Sequence, residues 1–367
     1  MSAETQKQQQ QQQQQQALHS GMKRHFYSQH SSTQGNAVDL CREMLLQAAT
    51  DMPLPSNTTT TDNQANAALH GEQQQHGCHC CCCINVAEWG CSHGANSIAP
   101  VALTAEVLQQ RLAVGCSMYS RNFPRASLSL GFSFSSLHWQ SSSAVRLSRT
   151  VNPGCSKTTP EEHAALRAHA ISDLSAFLRL RGEEFVPSGL LLLCYVGYSD
   201  AVPLSECGSV SGVESLLSGM AFHDAAQAVA EGMVADGLLQ LEDLGSMAAP
   251  VYFLDEASQR GVYADVADTW ELLSFDIVDN VSPMRREYQE GRASNEQQAA
   301  PQVFVNFWRA LMEPFMQQGL ARPAAGRSAA DVAALLATFF ERMTAAALAN
   351  LQPASYPAAR VLLRRAG

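Results

Sequence analysis

The run Gly189-Leu190-Leu191-Leu192-Leu193-Cys194-Tyr195-Val196-Gly197 limits this chain more than any other segment. It is too short to cross a bilayer, which takes about 20 apolar residues as a helix. It is apolar at every position, so it carries no helical stripe and no strand alternation. A strand of that kind has to be covered on both faces, as central strands of α/β sheets are. The segment before it, Thr159 to Glu184, is long and amphipathic. Pro160 sits in its first turn, and Glu161 and Glu162 suit the positive end of a helix dipole. Pro187-Ser188-Gly189 is expected to break this helix from the central strand, Leu190 to Val196.

The remaining elements repeat that alternation. Ala37 to Thr50 has helical spacing. Cys83 to Ala87 reads as a short buried strand, Ser97 to Leu112 as a helix, and Leu128 to Phe134 as a strand. Val213 to Leu239, Val303 to Met316 and Ala329 to Leu351 read as helices, and Ala359 to Leu363 as a last strand. Strand and helix in turn predict a doubly wound α/β sheet, with the surplus helices forming a cap.

Not all 367 residues belong to that core. Gln8 to Gln16 is an unbroken glutamine run, and Ser56 to Gln75 is rich in Thr, Asn and Gln. Such segments bury too little apolar surface to offset the entropy of ordering, so residues 1–22 and 56–75 are expected to be disordered. The net charge of -10 argues against nucleic acid as a partner. The N-terminus has no apolar signal core, so a soluble cytoplasmic protein without a membrane partner is expected. Of 11 cysteines, five crowd into Cys78-His79-Cys80-Cys81-Cys82-Cys83. Neighbouring cysteines pair poorly, so no disulfide framework is expected. With His76 and His79 nearby, metal binding, acylation or redox chemistry remain alternatives to an incidental cluster, although zinc sites place their ligands in two separated pairs.

Chemistry is concentrated where the first core strand ends. Val86-Ala87-Glu88-Trp89-Gly90-Cys91-Ser92-His93-Gly94-Ala95-Asn96 runs from a strand into a turn with two glycines. Gly90 and Gly94 let the backbone approach a ligand at the carboxyl end of the strand. A glycine turn of that kind also occurs in plain loops.

The words are more specific than the pattern. Gly-Cys-Ser-x-Gly-Ala-Asn resembles the first S-adenosylmethionine (SAM) motif of the SABATH family. These are the salicylate, benzoate, jasmonate and theobromine methyltransferases, which usually read Asp-Leu-Gly-Cys-Ser-Ser-Gly-Ala-Asn. Glu88 stands in place of that Asp and Trp89 in place of the Leu. Cys116-Ser117-Met118-Tyr119-Ser120-Arg121-Asn122-Phe123-Pro124 is similar to the family's Gly-Ser-Phe-Tyr-Gly-Arg-Leu-Phe-Pro. Ser135-Ser136-Leu137-His138-Trp139 comes after it at the expected distance. Phe177 to Gly189 resembles Phe-Leu-x-x-Arg-x-Glu-Glu-Leu-x-Pro-Gly-Gly. Pro250 with Tyr252, Arg309-Ala310 with Glu313-Pro314, and Glu341-Arg342-Met343 match later words. Tyr27, Ser31 and Gln34 fall on a short N-terminal motif. The matches run in order from Phe26 to Arg365.

The resemblance implies a Rossmann-like methyltransferase sheet with an α-helical cap, and a SAM-dependent enzyme that makes methyl esters of a small carboxylic acid. It implies SAM contacts from Tyr27, Glu88, Gly90, Cys91, Gly94, Asn96, Ser117 and Met118, with Met118 replacing a stacking Phe. Gln34 and Trp139 would hold the acceptor carboxylate in one pocket, His138 would line its wall, and Val213 to Leu239 would close it. By itself, a buried Trp in a hydrophobic strand is more often core packing. His138 in its ionised form would attract the carboxylate below about pH 6.5. A homodimer belongs to the same inference, as does a magnesium ion whose ligands are unknown.

The expected organisation is a tail over 1–22, a substrate-lid segment over 23–50, a polar and Cys-rich insert over 51–82, a SAM-binding core over 83–205, and cap plus remaining core over 206–367. One departure stands out. Between Asn96 and Ser117 a single helix leaves no room for the second strand, whose acidic residue would hold the SAM ribose. Glu106 is the only acidic residue there, and it falls mid-helix. A second reading therefore stays open, a degenerate paralogue acting as a binding or dimerisation protein.

Overall fold

The computed structural model describes residue 37 and residues 39–51, 86–89, 117–201, 219–280, 300–350 and 356–367. In chain order these carry helix α1 (Arg42–Asp51), strands β1 (Val86–Trp89) and β2 (Leu128–Phe134), helix α2 (Pro160–Glu184) and strand β3 (Phe185–Tyr198). Helices α3 (Gly219–Ala235) and α4 (Leu241–Ser246) come next, then strand β4 (Leu254–Asp255), helix α5 (Glu256–Asp265) and strand β5 (Trp270–Asn280). Helices α6 (Ala300–Leu320) and α7 (Ala329–Asn350) precede strand β6 (Tyr356–Arg365). The Gln-rich tail, the polar insert and the Cys78–Cys83 cluster lie outside the described residues.

The strands form one sheet in the order β1-β2-β3-β6-β5, with β4 paired to β3. β1, β2 and β3 are parallel, and β6 runs antiparallel to both β3 and β5. β1 is an edge strand among the described residues. The question of a missing second strand concerns residues 97–116, which lie outside them.

α2 begins as its sequence dictates. Thr159 Oγ1 accepts from Glu162 N–H at 3.2 Å, Thr159 N–H donates to Glu162 Oε2 at 3.0 Å, and Pro160 fills the first turn. The expected break at Pro187-Ser188-Gly189 is instead a bulge inside β3. The pairing with β2 jumps from Leu128↔Phe185 to Leu130↔Leu190, and Ser188 takes a φ of 64°. Extra residues on one strand are absorbed this way without ending it.

β3 explains why the leucine run is apolar throughout. Leu191, Leu193 and Tyr195 face α2 and α5, packing with Leu174, Phe177, Leu178 and Val262. Leu190, Leu192 and Cys194 face α1, with Cys41, Leu45 and Ala48. Each large apolar side chain removed from water contributes roughly 1.5–3 kcal/mol, so both layers stabilise the sheet. α3, α4, α6 and α7 form the cap around Phe222, Met233, Trp308, Phe339 and Phe340. No helix among the described residues is long and apolar enough to cross a membrane.

Candidate functional site

The segment after β2 is built by pairing across to the chain before β4. Trp139 and Val251 form an antiparallel bridge. Gln140 N–H donates to Pro250 O at 2.8 Å, and Tyr252 N–H donates to His138 O at 2.9 Å. These are the residues singled out in the sequence as separate words, and here they share one ladder. Two anchors tie the residues just after Trp139 to α2. Ser141 gives its N–H to Asp173 Oδ2 at 2.7 Å and its hydroxyl to Asp173 Oδ1 at 2.8 Å, and Gln140 Nε2 donates to Leu166 O at 2.9 Å.

Trp139 is half-buried and stacks on Phe315 of α6, with ring centroids 5.6 Å apart and planes 23° apart. Its indole N–H has no hydrogen-bond partner among the described residues. The ring stacked on Trp139 comes from α6; of the segment expected to close the pocket, Val213 to Leu239, residues 213–218 lie outside the described residues, and α3 borders the same apolar cluster with Phe222 and Ala226. The part of α3 in that range contributes His223, one ring further out. Phe253 lies 5.7 Å from His138, 6.4 Å from His223 and 5.6 Å from Tyr356. His223 Nε2 meets the Tyr356 hydroxyl at 3.2 Å, and its Nδ1 faces the backbone at Gly154, whose N–H is taken by Asn152 Oδ1.

His138 stands among these aromatic rings, in surroundings that work against the expected pH handle. Burial of its imidazole pushes the pKa down to about 3, and Nδ1 accepts a long hydrogen bond from Val196 N–H at 3.4 Å. A ring held neutral through the physiological range offers no charge to a carboxylate. His223 behaves alike, pushed by burial to about 4.

Ser117 and Met118 open a tight turn. Ser117 O accepts from Ser120 N–H at 3.0 Å and from Ser120 Oγ at 2.7 Å, and Ser117 Oγ accepts from Tyr119 N–H at 3.2 Å. Beneath the turn lies an ion pair that sequence reasoning named only as part of a word. Arg181 Nε and Glu184 Oε2 are 2.8 Å apart, and both side chains are fully buried. Arg181 donates to Met118 O at 2.9 Å and to Ser120 O at 2.6 Å. Glu184 Oε1 accepts from Asn122 N–H at 2.6 Å and Phe123 N–H at 3.1 Å. The guanidinium also lies 4.9 Å from the Trp89 ring and 5.2 Å from the Phe177 ring. Ser117 and Met118 are half-exposed and are braced from below by this pair.

The other residues expected at the site divide into two groups. Glu88 is placed on β1, paired with Phe132 of β2. Tyr27, Gln34, Gly90, Cys91, Gly94 and Asn96 lie outside the described residues. Sequence reasoning missed Phe253, Phe315 and Asp173. The first two are single aromatics far along the chain, and no local pattern marks them.

A family model described as SAM dependent carboxyl methyltransferase matches residues 110–352. A jasmonate O-methyltransferase of Arabidopsis thaliana is 33% identical over 153 residues, 38% of this chain and 36% of that protein. The methyltransferase LUC1 of a Fusarium species is 25% identical over 309 residues, 74% of this chain and 73% of that one. The chain thus spans well under two thirds of the jasmonate enzyme's length, at 36%. Among solved structures, loganic acid methyltransferase with S-adenosylhomocysteine superposes with a TM-score of 0.62. That match covers 93% of this chain and 96% of the other at 17% identity, a likeness of fold.

Proposed function

Because the chain belongs to the SAM dependent carboxyl methyltransferase family, we propose that it esterifies a small organic acid, moving a methyl group onto a carboxylate oxygen. The observation that carries this reading is Trp139. It is a half-buried indole whose N–H has no acceptor among the described residues, stacked under the cap by Phe315 and joined to the turn that bears Ser117 and Met118.

Bound S-adenosylmethionine supplies a methyl group on a sulfonium centre. A small carboxylic acid has a pKa of about 4.3 and reaches the site ionised, so no side chain has to remove a proton. One carboxylate oxygen forms a bond to the methyl carbon as the carbon–sulfur bond breaks, and S-adenosylhomocysteine leaves. The task of this chain is to align the two partners and exclude water, which can contribute on the order of 7–11 kcal/mol. A neutral donor suits the work, because a strong cation would hold the ground-state carboxylate too firmly. Trp139 supplies one such N–H, and Gln34, from the 23–50 segment, is assigned the second. Tyr27, Glu88, Gly90, Cys91, Gly94 and Asn96 join Ser117 and Met118 on the SAM side.

Within this reading residues 83–205 hold SAM, and residues 206–367 supply the cap and the rest of the sheet. A homodimer rests on the resemblance alone. For magnesium, the described residues contain no group of three or more His, Cys, Asp or Glu able to hold a metal ion, and no step is assigned to one.

The test uses the full chain. Calorimetry with S-adenosylhomocysteine should give saturable binding, and incubation with SAM and a panel of small acids should give a methyl ester by mass spectrometry. No heat at millimolar ligand, together with no ester from any acid, would overturn the assignment.

A further inference from the structure

The turn that carries Met118 and the segment that carries Trp139 are distant in sequence and meet at one hydrogen bond. Tyr119 Oη donates to Trp139 O at 2.5 Å. The tyrosine is half-buried, and its neighbours on either side, Met118 and Ser120, are the residues whose carbonyls Arg181 holds. Its ring packs in the α2-side core with Phe123 and Met118. Burial and the nearby Asp173 carboxylate keep the phenol well above its ordinary pKa, so the hydroxyl retains the proton that it donates.

We propose that Tyr119 is a positioning residue, setting the acceptor-side Trp139 against the cofactor-side turn, with the buried Arg181–Glu184 pair as its fixed end. Burying an ion pair is costly in desolvation, and stability alone is a weak reason to retain one. Here Arg181 and Glu184 hold the 118–123 backbone at Met118, Ser120, Asn122 and Phe123. A turn fixed that firmly can serve as a ruler. The Tyr119 hydroxyl carries its position across to the Trp139 carbonyl, and the Ser141–Asp173 and Gln140–Leu166 bonds stop the far side from shifting. In-line methyl transfer tolerates little misplacement, so an error here would appear in turnover more than in binding.

The proposal rests on the methyltransferase reading for its kinetic consequence, but its structural part can be tested independently. Tyr119→Phe removes one oxygen and keeps the ring. In the full chain, amide exchange at 139–141 should speed up about tenfold, the scale of one hydrogen bond. Affinity for S-adenosylhomocysteine should stay within about threefold, since Arg181 and Glu184 still hold the turn. The kcat on the best acid should fall about tenfold while KM for SAM is kept. Ser120→Ala, which loosens the same turn without touching Trp139, is the control and should leave exchange at 139–141 unchanged. Unchanged exchange in Tyr119→Phe would overturn the link. Faster exchange with unchanged kcat in a working enzyme would overturn the positioning role. Equal acceleration by Ser120→Ala would reduce the effect to general loosening. A parent protein that neither binds S-adenosylhomocysteine nor forms an ester would overturn the proposed function, while the exchange comparison would still decide the link.

Discussion

Arg181 and Glu184 stand one turn apart at the end of α2, with Nε and Oε2 2.8 Å apart and both side chains inaccessible to solvent. The spacing of three residues places them on one helix face. Arg181→Met would leave the Glu184 carboxylate buried without its counter-ion. The expected loss is about 3–5 kcal/mol of unfolding free energy, read as a lower urea midpoint. Adding Glu184→Leu should recover only part of it, because Asn122 and Phe123 N–H lose their acceptor.

Trp139→Phe keeps an aromatic ring against Phe315 and removes the N–H. A hydrogen bond to a charged group contributes about 1.5–3 kcal/mol, so kcat/KM for the best acid should fall tenfold or more. Stability should change by less than about 1.5 kcal/mol, as for conservative core exchanges. Unchanged kcat/KM across an acid panel would remove Trp139 from the acceptor site.

His138 and His223 are held neutral by burial, at about 3 and about 4. Their folded pKa values lie below the unfolded value of about 6.5, so the unfolded chain binds more protons between these limits. Their contribution to stability is complete above pH 6.5 and is lost as pH falls toward 4. Between pH 7 and pH 5.5 the two should account for about 1 kcal/mol each. Urea titrations at both values should show this slope in the parent and a shallower one in His223→Gln. Methyl transfer, by contrast, should show no rise near pH 6.5 from a charged His138.

Gly131 of β2 lies under the Trp89 and Phe185 rings, which stack at 6.1 Å. A Cβ there would stand 2.4 Å from Trp89 Cζ3 and 2.6 Å from Phe185 Cζ. Gly131→Ala should therefore cost about 1–3 kcal/mol through overpacking, measured by thermal or urea unfolding. Pairing it with Trp89→Leu should relieve most of the loss.

Much of the layered architecture was legible along the chain. Local physics sufficed for α2, because its capping box and Pro160 act within one turn, and for β2, whose ends match expectation at Leu128 and Phe134. β5 was missed although Phe275 and Ile277 alternate with Ser274 and Asp276. Among the described residues it is an edge strand with mostly exposed side chains, and its pairing to β6 is a long-range event. α5 was missed too, although Asp255 caps it through Ser258 N–H at 2.8 Å, because the helix is short and its apolar stripe brief.

The sequence by itself determined that the leucine run of β3 would be covered on both faces, that a long capped helix would precede it, and which words mark the turn at Ser117 and the ladder at Trp139. Apolar transfer and helix capping act at short range, so those residues carry their own instructions. Only the tertiary structure decided that Arg181 and Glu184 brace the 118–123 turn, that Phe315 stacks on Trp139, and that the packing around His138 lowers its pKa. Each of these depends on which distant groups displace water from a side chain. Desolvation is a property of the packed assembly and leaves no mark in the local order of residues.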